Sequence, residues 1–139
     1  HLVLKVARAA EDQGVERFVA ISSVGADPHS KNFYLRVKGE VERDLRKLGF
    51  DRLDVMRPGL LRGPRENDRR LAERAAILAS PVANLLLHGE RRRLRAIAAE
   101  VVARAAIALA MRAARGRFSH EYDAIVRAAK TLPDPLAAD

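Results

Sequence analysis

An uninterrupted apolar run, Phe18-Val19-Ala20-Ile21, stops at two serines, and a turn-rich stretch later the hydrophobic pattern takes on a helical period. That change of pattern constrains the fold more than any other feature of the chain. A continuous apolar run within Glu16 to Ile21, without polar alternation or a breaker, fits a strand covered on both faces. Ser22 and Ser23 then stand at its carboxyl end. Gly25-Ala26-Asp27-Pro28 supplies a turn. Apolar residues next recur at Tyr34, Val37, Val41, Leu45 and Leu48, one face of an α-helix that stops at Gly49. Arg52 to Met56, with Leu53 and Val55 alternating against Asp54, reads as a second strand.

Tyr34 and Lys38 lie one turn apart on the helix. A free tyrosine has a pKa of about 10, and a neighbouring ammonium favours the phenolate, which suits the phenol to acid/base work. A serine hydroxyl at the strand end can hold a substrate oxygen where the phenol exchanges a proton. The trio therefore suits reduction of a carbonyl or oxidation of an alcohol. Ser22 and Ser23 both qualify, with Ser23 the first choice. The plainer interpretation is a tyrosine packed on the core with a lysine stretched beside it, and serines that only turn the chain. After the second strand, Arg57-Pro58-Gly59 couples a fixed φ with a missing side chain and reads by itself as a strand-terminating turn.

Ile21-Ser22-Ser23-Val24-Gly25-Ala26-Asp27, with Phe33-Tyr34-Leu35-Arg36-Val37-Lys38-Gly39-Glu40-Val41-Glu42 and Arg57-Pro58-Gly59, resembles the second half of a short-chain dehydrogenase/reductase. The atypical branch of Tat-interacting-protein oxidoreductases and other NAD(P)H-binding Rossmann proteins is the part of that superfamily it is similar to. The match is good over residues 1 to about 64 and looser through Ala96 to Val102. The resemblance implies a partial Rossmann-like parallel sheet flanked by helices. It further implies an NAD(P)(H) cofactor, NADPH in the intact family member, and a small-molecule carbonyl or alcohol substrate. Ser23, Tyr34 and Lys38 would be catalytic, and Lys38, Pro58 and Gly59 would contact the cofactor. A non-catalytic regulatory or redox-sensing protein on the same fold is the alternative it carries. No Gly-x-Gly-x-x-Gly occurs in the chain, although a dinucleotide pyrophosphate normally rests on such a turn at a helix N-terminus. The expectation is thus a single Rossmann-like domain over residues 1–139, truncated and lacking its N-terminal glycine-rich half. Its nucleotide affinity would be weak or nil, and residues 131–139 would form a flexible tail.

Composition narrows the partners. The absence of cysteine excludes disulfides and thiolate metal sites, and no two of the four histidines have the helical spacing of a metal site. No metal partner is expected. No apolar stretch approaches the roughly 20 residues of a membrane span, and no leader is apparent, so no membrane partner and a cytoplasmic location are expected. The net charge of +8 raises nucleic acid as a partner. Most of that charge is arginine scattered over helices, and the one cluster, Arg91-Arg92-Arg93 with Arg95, has no interleaved aromatics to stack on bases. Nucleic acid is therefore disfavoured. Uncovered edges of a half-sheet leave self-association open.

Further helices are predicted over Leu2 to Ala10 ending at Gly14, from Asn67 or Asp68 to Pro81, from Ala98 to Ala114 closed by Gly116, and from His120 to Lys130. Arg93 to Ile97 reads as briefly extended. Gly63-Pro64 reads as a turn, and Leu85-Leu86-Leu87 as a packed lid or core segment.

Overall fold

The computed structural model describes residues 1–59, 61–62 and 97–133. The predicted turn at Gly63-Pro64, the helix ending at Pro81, the Leu85-Leu86-Leu87 run, the arginine cluster and the tail from residue 134 onward lie outside the described residues.

Helix α1 (Leu2–Asp12) opens with the His1 imidazole accepting from the Val3 amide and gives way to Gly14 at a φ of 78°. Strand β1 (Arg17–Ile21) leads through the serine loop to α2 (Phe33–Leu45), and β2 (Arg52–Met56) follows. A short strand β3 (Leu61–Arg62) pairs in parallel with β4 (Ile97–Ala98), which runs directly into α3 (Ala99–Ala110). Strand β5 (Gly116–His120) and α4 (Tyr122–Ala129) complete the described chain.

Strands β1, β2 and β5 form a parallel sheet with β2 at its centre. Arg17 stands opposite Arg52, and Arg52 opposite Gly116. Every residue of β2 is buried. The pleat divides its side chains between two cores. Leu53 and Val55 join Ala20, Ala7 of α1, Val41 and Leu45 of α2, and Phe50. Phe18 stacks on Phe50 there, with ring centroids 4.9 Å apart. Met56 belongs to the opposite core, with Val102, Ala105 and Leu109 of α3 and Ile125 and Ala128 of α4. The architecture is the expected one, a partial Rossmann-like α/β fold with a parallel sheet flanked by helices.

Two predicted boundaries need correction. The helix expected to run to Ala114 ends at Ala110, and Gly116, expected to close it, opens β5 at a φ of 143°. His120, expected to begin the last helix, ends that strand instead. The reason lies in Gly-Arg-Phe-Ser-His, which has one apolar residue and no period of its own. Its strand character comes from its neighbours. The Arg117 guanidinium donates to the Phe50 and Leu48 carbonyls, each at 2.7 Å, and the Arg52 guanidinium lies 4.2 Å from the Phe118 ring centroid.

A polar network sits within the sheet. Asp54 is 1% exposed and accepts two hydrogen bonds from Arg52, at 2.7 and 2.8 Å, while His120 Nε2 lies 2.7 Å from its Oδ1. Arg52 donates a third bond to the Ala114 carbonyl at 2.8 Å. Residues two apart on a strand share a face, so Arg52 reaches Asp54 along β2 while His120 reaches it from β5. Removing one member of such a buried set leaves the others desolvated and unpaired. Asp54→Ala is expected to lower unfolding free energy by about 3–5 kcal/mol, read as a drop in the urea midpoint with the slope unchanged.

Candidate functional site

Helix α2 carries the tyrosine and lysine, and three local devices set its position. Asn32 caps it, its side-chain oxygen accepting from the Leu35 amide at 3.2 Å. Val41 and Leu45 bury its inner face against the sheet. Gly39 lets the serine loop lie directly on the helix, because a Cβ built there would stand 2.2 Å from the backbone of Asp27 and Pro28. The Asp27 amide completes this contact by donating to the Leu35 carbonyl at 3.1 Å.

Tyr34 is 57% exposed, so it does not pack into the core with Val41 and Leu45. Lys38 Nζ lies 5.6 Å from the centroid of its ring, within range of a cation–π contact. The structure thus brings Tyr34 and Lys38 together. The serines diverge. Ser23 is only partly buried, and its hydroxyl donates to the Val24 carbonyl at 3.3 Å. Ser22 Oγ is sealed from solvent with no hydrogen-bond partner among the described residues, and Ser22 lines a cavity of about 10 Å³ with Lys38 and Glu42. The Ser22 amide donates to the Met56 carbonyl at 2.7 Å and the Val24 amide to the Pro58 carbonyl at 3.1 Å. Buried Pro58 and partly exposed Gly59 therefore stand beside the serine loop, at the carboxyl ends of β1 and β2.

Two residues that the motif gave no role join helix to sheet. Glu42, 2% exposed, accepts from Arg57 Nε at 2.9 Å and again from Arg57 Nη2. The hydrogen bonds to Glu42 hold the Arg57 guanidinium above its ordinary range, outweighing the opposing effect of burial. Glu121 adds a contact at 4.0 Å. Glu42 lies one turn beyond Lys38, and Arg57 opens the Arg-Pro-Gly segment, so this pair fixes the lysine's helix against the segment that follows β2. Among the described residues no three acidic or histidine side chains cluster as metal ligands, and no helix is long and apolar enough to cross a membrane.

Sequence comparison gives this geometry a set of relatives. The chain is similar to fungal Fmp52 proteins. It is 37% identical to protein fmp52-1 of Aspergillus oryzae over 115 residues, 83% of this chain and 48% of that protein. The Aspergillus clavatus fmp52 protein is 41% identical over the same shares. Saccharomyces cerevisiae FMP52 is 44% identical over 69 residues, 50% of this chain and 30% of that protein. No protein-family model matches the chain. The chain spans about half the length of the first two of these relatives.

These relatives correct two expectations. Their names are Fmp52, and none of the three is named as a short-chain dehydrogenase/reductase or a Tat-interacting protein, so the motif-based family assignment gives way to similarity with Fmp52. All three are named mitochondrial, which overturns the cytoplasmic location. That location rested on the lack of a membrane-length apolar stretch and of an apparent leader, and neither absence names a compartment.

The geometry yields two expected outcomes. Gly39→Ala gains about 1 kcal/mol of helix propensity but meets backbone that cannot swing aside, where overpacking costs about 1–3 kcal/mol. The net effect is destabilising, with faster amide exchange confined first to residues 24–30. Arg57→Ala leaves the buried Glu42 carboxylate with only the longer Arg46 contact at 3.7 Å and lowers stability by up to about 3–5 kcal/mol, whereas the double substitution with Glu42→Gln recovers part of that loss in a denaturation cycle.

Proposed function

We propose that this chain provides the proton-transfer half of an NAD(P)-dependent oxidoreductase site acting on a small carbonyl or alcohol. The supporting observation is the Lys38 ammonium 5.6 Å from the ring centroid of an exposed tyrosine, on a helix tied to the carboxyl ends of β1 and β2. An accessible phenol with a cation on its ring face is suited to exchanging a proton with a substrate oxygen.

The residues present fit the nicotinamide end of a dinucleotide. Lys38 presents a half-buried ammonium, and Pro58 and Gly59 present main chain next to the serine loop. These are the residues that would hold the cofactor. The bound nicotinamide would supply the hydride. The chain has no glycine-rich turn for a pyrophosphate, so tight dinucleotide binding is not proposed for residues 1–139 by themselves. Those residues are assigned to one Rossmann-like domain.

In the reductive direction, Tyr34 gives its hydroxyl proton to the carbonyl oxygen as the carbon is reduced. Lys38 holds positive charge beside the phenolate that this leaves. A serine at the end of β1, with Ser23 the first choice, orients the carbonyl by donating a hydrogen bond, for which the Ser23 hydroxyl turns away from the Val24 carbonyl. Oxidation of an alcohol runs these transfers backward.

The test follows oxidation of NADPH or NADH in the presence of small aldehydes and ketones. Tyr34→Phe keeps the fold and removes the transferable proton, so the rate is expected to fall by about 10²- to 10⁴-fold. A phenylalanine variant as fast as the parent, or a parent no faster than buffer with every carbonyl tried, would sink the proposal.

A further inference from the structure

One buried polar group has no role in the proton transfer described above. Ser22 Oγ has no partner among the described residues, although buried hydroxyls in folded proteins are nearly always hydrogen-bonded. Ser23, by contrast, already donates to the Val24 carbonyl. The alternation of β1 directs Phe18 and Ala20 toward α2 and continues to Ser22, which borders the same cavity as Lys38 and Glu42. His1 lines that cavity too.

The cavity's volume of about 10 Å³ is close to what a single water needs. The polar residues Ser22, Lys38 and Glu42 in its mainly aliphatic lining have complementary valence. The Lys38 ammonium has three donors and no acceptor, a serine hydroxyl both gives and accepts, and the Glu42 carboxylate accepts beyond its bonds to Arg57. A water accepting from Lys38 has two protons left, one for Ser22 Oγ and one for Glu42. It thereby reaches the two to four partners that a buried water needs.

We propose that one ordered water in this cavity joins Ser22 Oγ to the Lys38 ammonium. Ser22 is then a positioning residue: it touches no substrate and acts by holding the ammonium at the Tyr34 ring. The use of that ammonium in proton transfer rests on the oxidoreductase reading, whereas the water site does not. The division of labour between the serines follows, with Ser22 facing inward to the lysine and Ser23 left on the loop.

Two measurements on the 139-residue chain test the link. A high-resolution crystal structure is expected to contain one water within hydrogen-bonding distance of both Ser22 Oγ and Lys38 Nζ. In nitrogen-15 NMR spectra, the Lys38 ammonium signal, assigned by its loss in Lys38→Met, is expected to be protected from exchange in the parent and in Ser23→Ala. It should disappear in Ser22→Ala, with thermal unfolding recorded in parallel to verify that this variant is folded. A dry cavity, a direct bond from Ser22 Oγ to another protein group, or a Lys38 signal unchanged in folded Ser22→Ala would overturn the proposal. The oxidoreductase reading fails separately, because a Tyr34→Phe variant with full carbonyl reduction would leave the water and the ammonium signal untouched.

Discussion

A carboxylate in the middle of the central strand is the constraint on which the rest of the fold depends. A carboxyl group as buried as that of Asp54 needs partners, since an isolated buried ion costs several kcal/mol. The bidentate hydrogen bonds from Arg52 and the contact with His120 meet that need, and in doing so they cross-link β2 to β5. The consequence extends outward from there. The Arg57 amide donates to the His120 carbonyl, which fixes the end of β2, and the Arg57 side chain is carried toward Glu42 on α2. Lys38 sits one turn from Glu42. The helix that carries the lysine is thus tied to the sheet through Glu42 by a series of charged and polar contacts that begins at Asp54.

The two faces of the sheet divide the work. The face under α3 and α4 contains Met56 and a core of small and medium aliphatic side chains, and it supports β2 and β5. The face under α1 and α2 carries the candidate chemistry near its rim, where Ser22, Lys38 and Glu42 meet. Central β2, buried at every position, separates the two. Buried Arg52 and Asp54 are compatible with so enclosed a strand because each satisfies the other.

The sequence made some of this legible. Phe18 to Ile21 and the helical recurrence from Val37 to Leu45 are strong periodic signals, and they locate β1 and α2 within a few residues. The spacing of Tyr34 and Lys38 was enough to bring them together, because four residues on a helix is a local relation. What stayed hidden was non-local. Strand β5 is polar, and its register depends on Arg52 and Asp54 some sixty residues earlier. The Glu42–Arg57 pair crosses from helix to strand, so no spacing rule announces it. Gly39 in isolation looks like a weakness in a helix, and its use appears only once the loop is seen to lie on it. The relatives' name and compartment have no expression in the motif residues at all.

The approach of Asp27 and Pro28 to Gly39 also determines where this region can vary. Peptide and helix touch there without an intervening side chain, so the stretch from Ser23 to Pro28 behaves as a tether of set length between sheet and helix. Extra residues inserted in it would have to buckle outward or break the seat on Gly39. Between Pro28 and the Asn32 cap, where His29, Lys31 and Asn32 are exposed, the chain has room to lengthen. Evolutionary or engineered elaboration of the rim is therefore directed to one short arc of this loop, downstream of Pro28.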